Sequence, residues 1–519
     1  MLFNSYIFIF AFLPLTLAGF FLIGARGHHR IAISWLVACS LFFYGWWNPA
    51  YLGLILASIL FNYAMGIVLS GGGGRGMLAL GVAANLGLLG YFKYANFFVN
   101  SLNGALGTDF HLEAILLPLA ISFFTFQQIA YLVDAHRGET REYNFLHYCL
   151  FVTFFPQLIA GPIVHHREML PQFARDAIYR FRHRDFAIGC AIFAIGLFKK
   201  VVLADGVAVY AMPVFAAAEA GIPLSFVEAW GGALAYTLQI YFDFSGYSDM
   251  AIGLGRMFGI RLPLNFHSPL KALNLIEFWH RWHMTLSRFL RDYLYIPLGG
   301  NRKGPARRYV NLFVTMLLGG VWHGAGWTFV VWGAAHGAVL AANHGWHAAR
   351  RTLGLDSRQS TRASRMAAGT LTFLFIVCSF VLFRAESFEG AWRMLGAMTG
   401  SNGVVLPDGL GELASAWQHG LASLGVRFGE HVPNELASWG DGFPMIVALW
   451  LLVWLAPNTQ QILRDFEPAF DTYRGGQLGR SPGRPRFALT PAWAVVVAML
   501  LVYAVGSLTR ATEFLYFQF

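Results

Sequence analysis

The chain has 519 residues, of which 56% are hydrophobic and only 12% are charged. Soluble domains carry about 25% charged residues, so this composition excludes an ordinary soluble protein and indicates a polytopic membrane protein. The formal charge of +10 comes from Lys and Arg in short clusters between apolar runs. That pattern is typical of cytoplasmic loops and does not indicate nucleic-acid binding.

A series of apolar runs follows from one end of the chain to the other. Since about 20 helical residues cross a hydrocarbon core of roughly 30 Å, we predict an all-α membrane protein with roughly ten to thirteen crossings. The longer runs could fold as two shorter helices or re-enter the membrane. The runs lie at 6–24, 31–47, 50–69, 77–100, 114–133, 145–164, 187–216, 226–260, 311–343, 367–383, 443–457 and 490–508.

The basic clusters predict the topology. No Lys or Arg precedes Arg26, so Ile7–Ile23 is a retained first span rather than a signal peptide, and the N-terminus lies outside, in the periplasm. The segment 385–440 is Gly-rich and weakly charged, which predicts an extra-cytoplasmic loop with short helices. The predicted cytoplasmic loops are 26–30, 175–184, 302–308, 350–365 and 474–486.

A charged aromatic block, Phe278–Tyr293, interrupts the apolar pattern. Such a block lies at the membrane interface or lines a cavity rather than facing lipid. If it is helical, Arg288 and Asp292 are four residues apart and could pair. His280 and His283 could face one metal ion, but the arginines around them would repel a cation. An anionic ligand such as a phosphate suits these arginines better, and no metal site is predicted.

Two histidines, His323 and His336, lie in the nearly uncharged run 311–343. An ionisable group at membrane depth is a candidate functional residue, and imidazole is suited to moving a proton near neutral pH. A packed, hydrogen-bonded core histidine is the alternative. Glycines at 319, 320, 324 and 326 predict a broken or closely packed helix around His323. In one continuous helix the two histidines would be roughly 20 Å apart, so they would not share a ligand site.

Residues 239–250 place Asp243, Ser245 and Asp249 in another apolar run. Buried carboxylates must be paired or neutralised. Asp243 could orient a catalytic histidine, or the segment could be a structural hydrogen-bond cluster. Lys93 and Lys199–Lys200 are interpreted as side chains that reach the interface from the ends of spans. The four cysteines lie far apart in or beside apolar runs and are interpreted as small core residues.

The residues leave two classes open. One is a membrane-embedded acyl or group transferase with a histidine base. The other is a secondary transporter with an intramembrane Asp and His site, although the two corresponding broken halves that such a fold predicts are absent from the sequence. A non-catalytic membrane scaffold is a third possibility.

Several long blocks in order resemble the membrane-bound O-acyltransferase superfamily, in the bacterial branch that contains the alginate O-acetyltransferase membrane subunit and the D-alanyl transferase of teichoic acid. They comprise residues 91–94, 155–162, 241–253, 278–302, 322–324 and 332–337, and the C-terminal aromatic segment Phe514–Phe519 also resembles the branch.

The resemblance implies one membrane-embedded domain, 1–519, with a catalytic helical core at about 91–345 and a ring of about 11 tilted transmembrane helices plus re-entrant and interfacial helices around a central tunnel. It implies that His323 is the catalytic histidine and His283 the second catalytic polar residue. It also implies supporting roles for His336, Asp243, Asp249 and Ser245. The candidates for binding the acyl donor are Arg281, Arg288, Arg291 and Trp322.

The resemblance also implies the reaction and its setting, a bacterial inner membrane. Acetyl-CoA is the expected donor substrate, with an acylated carrier as the alternative, and no cofactor is permanently bound. The expected acceptor is an exopolysaccharide, with alginate ahead of cellulose or another polymer, and D-alanyl transfer to teichoic acid is less favoured. The branch implies a periplasmic partner transferase of the Ser-His-Asp, SGNH-like type within a polysaccharide biosynthesis complex. The aromatic C-terminus could anchor at an interface or contact that partner.

Overall fold

The protein is described by a computed structural model at residues 1–140, 144–354, 361–406, 420–423, 425–428, 442–470, 485–510 and 515. These residues are mostly helical, which confirms the helical class of the predicted fold. The helices are α1 (Phe8–Gly24), α2 (His29–Gly45), α3 (Tyr51–Ser70), α4 (Arg75–Leu106), α5 (Ile121–His136), α6 (Phe145–Thr153), α7 (Phe155–Leu158), α8 (His166–Phe173), α9 (His183–Glu219), α10 (Phe226–Met257), α11 (Leu275–Trp279), α12 (Met284–Leu290), α13 (Gly304–His323), α14 (Trp327–Thr352), α15 (Arg362–Arg384), α16 (Phe388–Met398), α17 (Gly442–Leu455), α18 (Thr459–Ile462) and α19 (Pro491–Gly506).

By length and composition, four helices in the described part of the chain can cross a membrane: α3, α4, α9 and α15. The apolar helices α1, α2, α17 and α19 are shorter, at 10–17 residues. The predicted first span is therefore a helix, but the expected count of about eleven crossings is not confirmed. Helix α10 is 32 residues long and nearly all of its side chains are buried, so it lies inside the helical assembly.

Helices α9 and α10 form the centre of the fold because glycines let their backbones touch. A Cβ atom added at Gly189 would lie 2.7 Å from the carbonyl oxygen of Gly253. A Cβ atom at Gly246 would likewise lie 2.8 Å from the carbonyl oxygen of Gly196. The glycines are seven residues apart in each helix, so they fall on one face and form a continuous close seam. In a membrane the hydrophobic effect does not drive helices together, and small residues commonly allow the close packing that does.

Two of the predicted cytoplasmic loops lie side by side and define what we call the basic end of the molecule. The ring nitrogen Nδ1 of His29 lies 3.5 Å from a carboxylate oxygen of Asp176. The rings of Phe21 and Phe181 also pack edge to face. At the other end of α9, the Glu219 carboxylate accepts hydrogen bonds from the backbone N–H and the hydroxyl of Ser387.

The described residues at the start of the segment 385–440 therefore lie at the end of α9 opposite the basic end. Its described residues contain α16 and two short parallel strands, β1 (Val404–Leu406) and β2 (Val426–Phe428). The strands were not predicted, because runs of three residues are too short to show a period of two. Residues 407–419, 424 and 429–441 lie outside the described part of the chain.

Candidate active site

The histidine His323 is the last residue of α13, and the chain leaves the helix there. Gly324 and Gly326 have extended backbones, and α14 then runs back along α13. A Cβ atom at Gly320 would lie 2.7 Å from the Cα of Gly333, so the two helices touch directly. This confirms the predicted broken, closely packed helix, and it fixes His323 at a helix end rather than in mid-helix.

The His323 imidazole is 6% exposed and is surrounded by aromatic rings. Its ring centroid lies 5.0 Å from that of Trp322 and 5.2 Å from those of Trp332 and Phe383. Because these side chains are large and rigid, they restrict the orientation of the imidazole and exclude bulk water from it.

The second predicted catalytic residue, His283, lies next to His323, although 40 residues separate them in sequence. Their ring centroids are 6.5 Å apart, and His283 is fully buried. His283 has a φ of +42°, in the left-handed region, directly before α12. Such a backbone costs of order 1–3 kcal/mol for a non-glycine residue and is often found at functional sites. The structure thus brings together the two histidines that the sequence singled out.

Asn265 holds His283 in place, and the sequence did not single it out. Its side-chain oxygen lies 3.1 Å from Nδ1 of His283 and accepts a hydrogen bond from the Thr285 hydroxyl at 2.9 Å. Its amide nitrogen donates to the Ser248 hydroxyl at 3.2 Å. Since the Asn265 oxygen is an acceptor, Nδ1 of His283 carries the proton and the lone pair of the neutral ring lies on Nε2. An asparagine outside any motif gives no sequence signal for this function.

Lys93 and Tyr94 hold the end of the helix that carries His323. The Lys93 ammonium donates to the carbonyl oxygens of Trp322 at 2.6 Å and His323 at 2.9 Å. The Tyr94 hydroxyl donates to the carbonyl oxygen of Val321 at 2.7 Å. These are carbonyls that a helix end leaves without intrahelical partners, and a cation is favoured there by the helix dipole. The interpretation of Lys93 as a side chain reaching the interface is therefore wrong.

A cavity of about 830 Å³ lies beside this site, although neither His283 nor His323 lines it. Its lining includes Met284 and Thr285, the residues that directly follow His283. Arg288, Arg291 and Arg308 also line it, together with His280 and His344. Burial and the nearby Arg291 lower the pKa of His280, so the positive charge of the wall at pH 7 comes from its arginines. The cavity therefore joins a basic wall to the neighbourhood of the two histidines.

The four residues expected to bind the donor are placed differently from one another. Arg288 and Arg291 line the cavity, while Arg281 and Trp322 do not. Arg281 donates to the Glu277 carboxylate at 2.5 Å. Trp322 is buried beneath His323 and stacks on Phe126.

The expected pairing of Arg288 with Asp292 is not formed. Arg288 makes a two-pronged ion pair with Glu168 in α8, and Asp292 instead accepts a hydrogen bond from Arg291 at 2.7 Å. The reason is that α12 gives way to a π-helical turn at Arg291–Tyr295, which changes the spacing of an α-helix.

His336 is fully buried but lies behind Trp332, away from His283. Its ring centroid is 4.5 Å from Trp332, 4.9 Å from Phe375 and 5.4 Å from Trp279. Neither ring nitrogen has a hydrogen-bond partner among the described residues. Since Trp279 also lines the cavity, His336 supports the aromatic wall of the site.

Asp243 pairs with a lysine rather than with a histidine. Its carboxylate lies 2.9 Å from Nζ of Lys200, which also contacts Asp205 at 2.6 Å. The second Asp243 oxygen accepts from the backbone N–H of Leu515, the one described residue of the C-terminal aromatic segment. The structural alternative for Asp243 thus fits, and Lys200 is buried inside the protein instead of reaching the interface.

The other two expected supporting residues also lie in α10. The Asp249 carboxylate accepts from Lys199 at 2.9 Å and from the Thr459 hydroxyl at 2.6 Å. Ser245 is buried, and its hydroxyl has no hydrogen-bond partner among the described residues. Asp249 thus ties α10 to α9 and α18. Within the described ranges no cluster of three or more His, Cys, Asp or Glu could hold a metal ion.

Comparison with known proteins decides the family. The model of the membrane-bound O-acyltransferase family matches residues 134–384, which include both histidines and Asn265. The chain is 46% identical over 436 residues to the peptidoglycan O-acetyltransferase of Helicobacter pylori, covering 78% of this chain and 81% of that protein. The chain belongs to the membrane-bound O-acyltransferase family. It is therefore an acyltransferase, as the sequence blocks predicted.

Two further relatives of this acyltransferase differ in their named substrates. The chain is 45% identical over 410 residues to the probable alginate O-acetylase AlgI of Azotobacter vinelandii, covering 77% of this chain and 78% of that protein. It is 27% identical over 293 residues to the teichoic acid D-alanyltransferase of Streptococcus thermophilus, covering 52% and 69%. The relatives with acetyl-transfer names are thus much more similar than the one named for D-alanyl transfer.

Proposed function

We propose that the protein is the membrane component of a polysaccharide O-acetylation system in a bacterial inner membrane. It takes an acetyl group from acetyl-CoA on the cytoplasmic side and passes it to an acceptor outside. The observation that carries this proposal is the pair of buried imidazoles, 6.5 Å apart, beside an arginine-lined cavity whose lining includes the two residues that follow His283. The names of the similar acetylating relatives support acetyl as the transferred group.

The donor would enter the cavity from the cytoplasmic side. Arg288, Arg291 and Arg308 would face the phosphates of the nucleotide, and the pantetheine arm would extend toward Met284. Arginine suits this role because its planar fork matches phosphate oxygens in a two-pronged geometry. The thioester carbonyl would then lie beside the two histidines.

His323 would act as general base. It takes the proton from an acceptor hydroxyl as the oxygen attacks the thioester carbonyl, and the C–S bond breaks to release CoA thiolate, which takes up a proton. His283, held with its proton on Nδ1, offers a lone pair at Nε2 and would orient or relay that proton. Ser and Tyr hydroxyls are the candidates for stabilising the oxyanion. In the alternative relay, the imidazole itself is acetylated first.

Alginate is the first candidate polymer, with transfer completed by a periplasmic transferase of the Ser-His-Asp, SGNH-like type. Peptidoglycan is the second candidate, since the H. pylori relative carries that name at 46% identity. Cellulose or another polymer follows, and D-alanyl transfer to teichoic acid comes last because that relative is only 27% identical.

The test uses the purified full-length protein in proteoliposomes with acetyl-CoA, measuring release of CoA thiol. General base catalysis typically contributes 10²–10⁴-fold, so His323→Ala should lower the rate by at least about 100-fold. His111→Ala, at an exposed position that does not line the cavity, is the matched control. Normal thiol release by a correctly inserted His323→Ala variant would contradict the assignment, and solute uptake without thiol release would favour a transporter.

A further inference from the structure

A second cavity, of about 850 Å³, opens at the basic end. It is separate from the arginine-lined cavity proposed to bind the acyl donor, which we call the donor cavity. It lies between the first turn of α9, the last turn of α10 and the segment 465–470, and none of its lining residues is shared with the donor cavity. Its lining consists of Gln172, Arg175, Arg182, His183, Arg184, Asp185, Arg256, Gly259, Arg261, Asp465, Phe466, Glu467 and Phe470.

Five arginines and three carboxylates line this basic cavity, so the wall is positive overall. The Asp185 carboxylate pairs with two arginines, at 2.9 Å from Arg256 and 3.6 Å from Arg182. Arg261 pairs with Glu467 at 2.6 Å. Two more arginines, Arg175 and Arg184, are exposed and form no ion pair with any described residue. The cavity thus holds more positive charge than its own acids neutralise.

Arg256 is the decisive residue because it is buried and incompletely bonded. It is only 6% exposed, and its Nη2 contacts Asp185. Its Nε has no hydrogen-bond partner among the described residues. A buried donor without a partner is costly, and a buried charge more so. Because Asp185 also contacts Arg182, the Arg256 charge at the cavity wall is only partly neutralised and favours an anion there.

Arg184 provides a second fixed cation at the wall. Its guanidinium carbon lies 5.5 Å from the centroid of the Phe466 ring, a cation–π contact that orients the side chain. A guanidinium held on an aromatic face keeps its N–H groups free to bind another oxygen. The size also fits, since ligand sites commonly measure about 300–1,000 Å³.

We propose that the basic cavity binds a phosphate-bearing anion that is not the acyl donor. Two sources share this chemistry: the headgroup of an anionic phospholipid, and the phosphates of a soluble nucleotide. Arginine forks recognise both in the same way. The site lies where α9 begins and α10 ends, and the seam between these helices forms the centre of the fold. Ligand binding there would therefore be linked to the stability of that seam.

The test measures binding by the full-length protein in nanodiscs of phosphatidylcholine. One arm adds ATP or inorganic pyrophosphate, and the other includes phosphatidylglycerol in the disc, with thermal stability and native mass spectrometry as readouts. Arg175→Gln/Arg184→Gln should weaken binding at least ten-fold. Arg26→Gln/Arg30→Gln removes the same charge from exposed positions at the same end and should leave binding unchanged.

Binding in one arm identifies the source of the phosphate. Failure of both arms, or equal weakening by the two double variants, overturns the proposal. Arg256→Gln is the second probe and should abolish binding in discs where the protein remains folded and inserted. All measurements are repeated with saturating CoA and on His323→Ala, so that the result is independent of acetyl transfer. Displacement of the phosphate ligand by CoA would refute a separate site.

Discussion

Replacing Lys93 by methionine removes the cap of the catalytic helix while keeping a side chain of similar length. The structure gives Lys93 two hydrogen bonds to helix-end carbonyls, at 2.6 and 2.9 Å, the second of them to His323 itself. Hydrogen bonds from a charged group contribute about 1.5–3 kcal/mol each. Losing both leaves buried carbonyls without their donor, so the end of α13 should shift.

A displacement of about 1 Å at a reacting group costs roughly 10²-fold in rate. We therefore expect Lys93→Met to lower kcat for CoA release about 100-fold while the KM for acetyl-CoA changes less than about two-fold, since Lys93 does not line the donor cavity. Lys93→Arg, which keeps charged donors, should recover part of the rate. Lys303→Met, at an exposed lysine, is the control. An unchanged kcat in Lys93→Met, or no rescue by arginine, would refute the capping argument.

Three further predictions use the same assay or a thermal-unfolding measurement. Asn265→Ala should lower kcat about 10–100-fold because His283 loses the side chain that holds it. If Asn265 had only a structural role, the variant would have a lower melting temperature but an unchanged kcat per folded molecule. Lys200→Met should destabilise the protein by about 3–5 kcal/mol because Asp243 loses its buried counter-charge, and adding Asp243→Asn should restore part of that loss. Gly333→Val should push α13 from α14 and abolish activity in inserted protein, and retained activity would contradict the close helix contact.

Much of the site could be predicted because its residues conflict with their surroundings. Histidines in an uncharged run, and arginines in an aromatic block, are costly in a membrane unless they have a function. The glycines around His323 likewise indicated a broken helix, and the structure has one. These signals are local, so each could be seen in a few consecutive residues.

The positioning residues could not be predicted in this way. Asn265 and Lys93 act on His283 and His323 across 18 and 230 residues of chain. The Arg288–Asp292 prediction failed because a π-helical turn altered the spacing, and the partner of Arg288 is Glu168, 120 residues earlier. An apolar run also cannot show whether a lysine in it reaches the interface or is neutralised inside, as Lys200 is.

The sequence by itself indicated a lipid environment, the helical class, the family and the two candidate catalytic histidines. It could do so because composition and motifs are properties of the linear chain. Only the tertiary structure decided that those histidines are neighbours, which residues fix them, and that the arginines divide between two separate cavities. The physical reason is that hydrogen bonds and ion pairs act over about 3 Å in space. The partner that satisfies a buried charge is therefore chosen by helix packing and not by position along the chain.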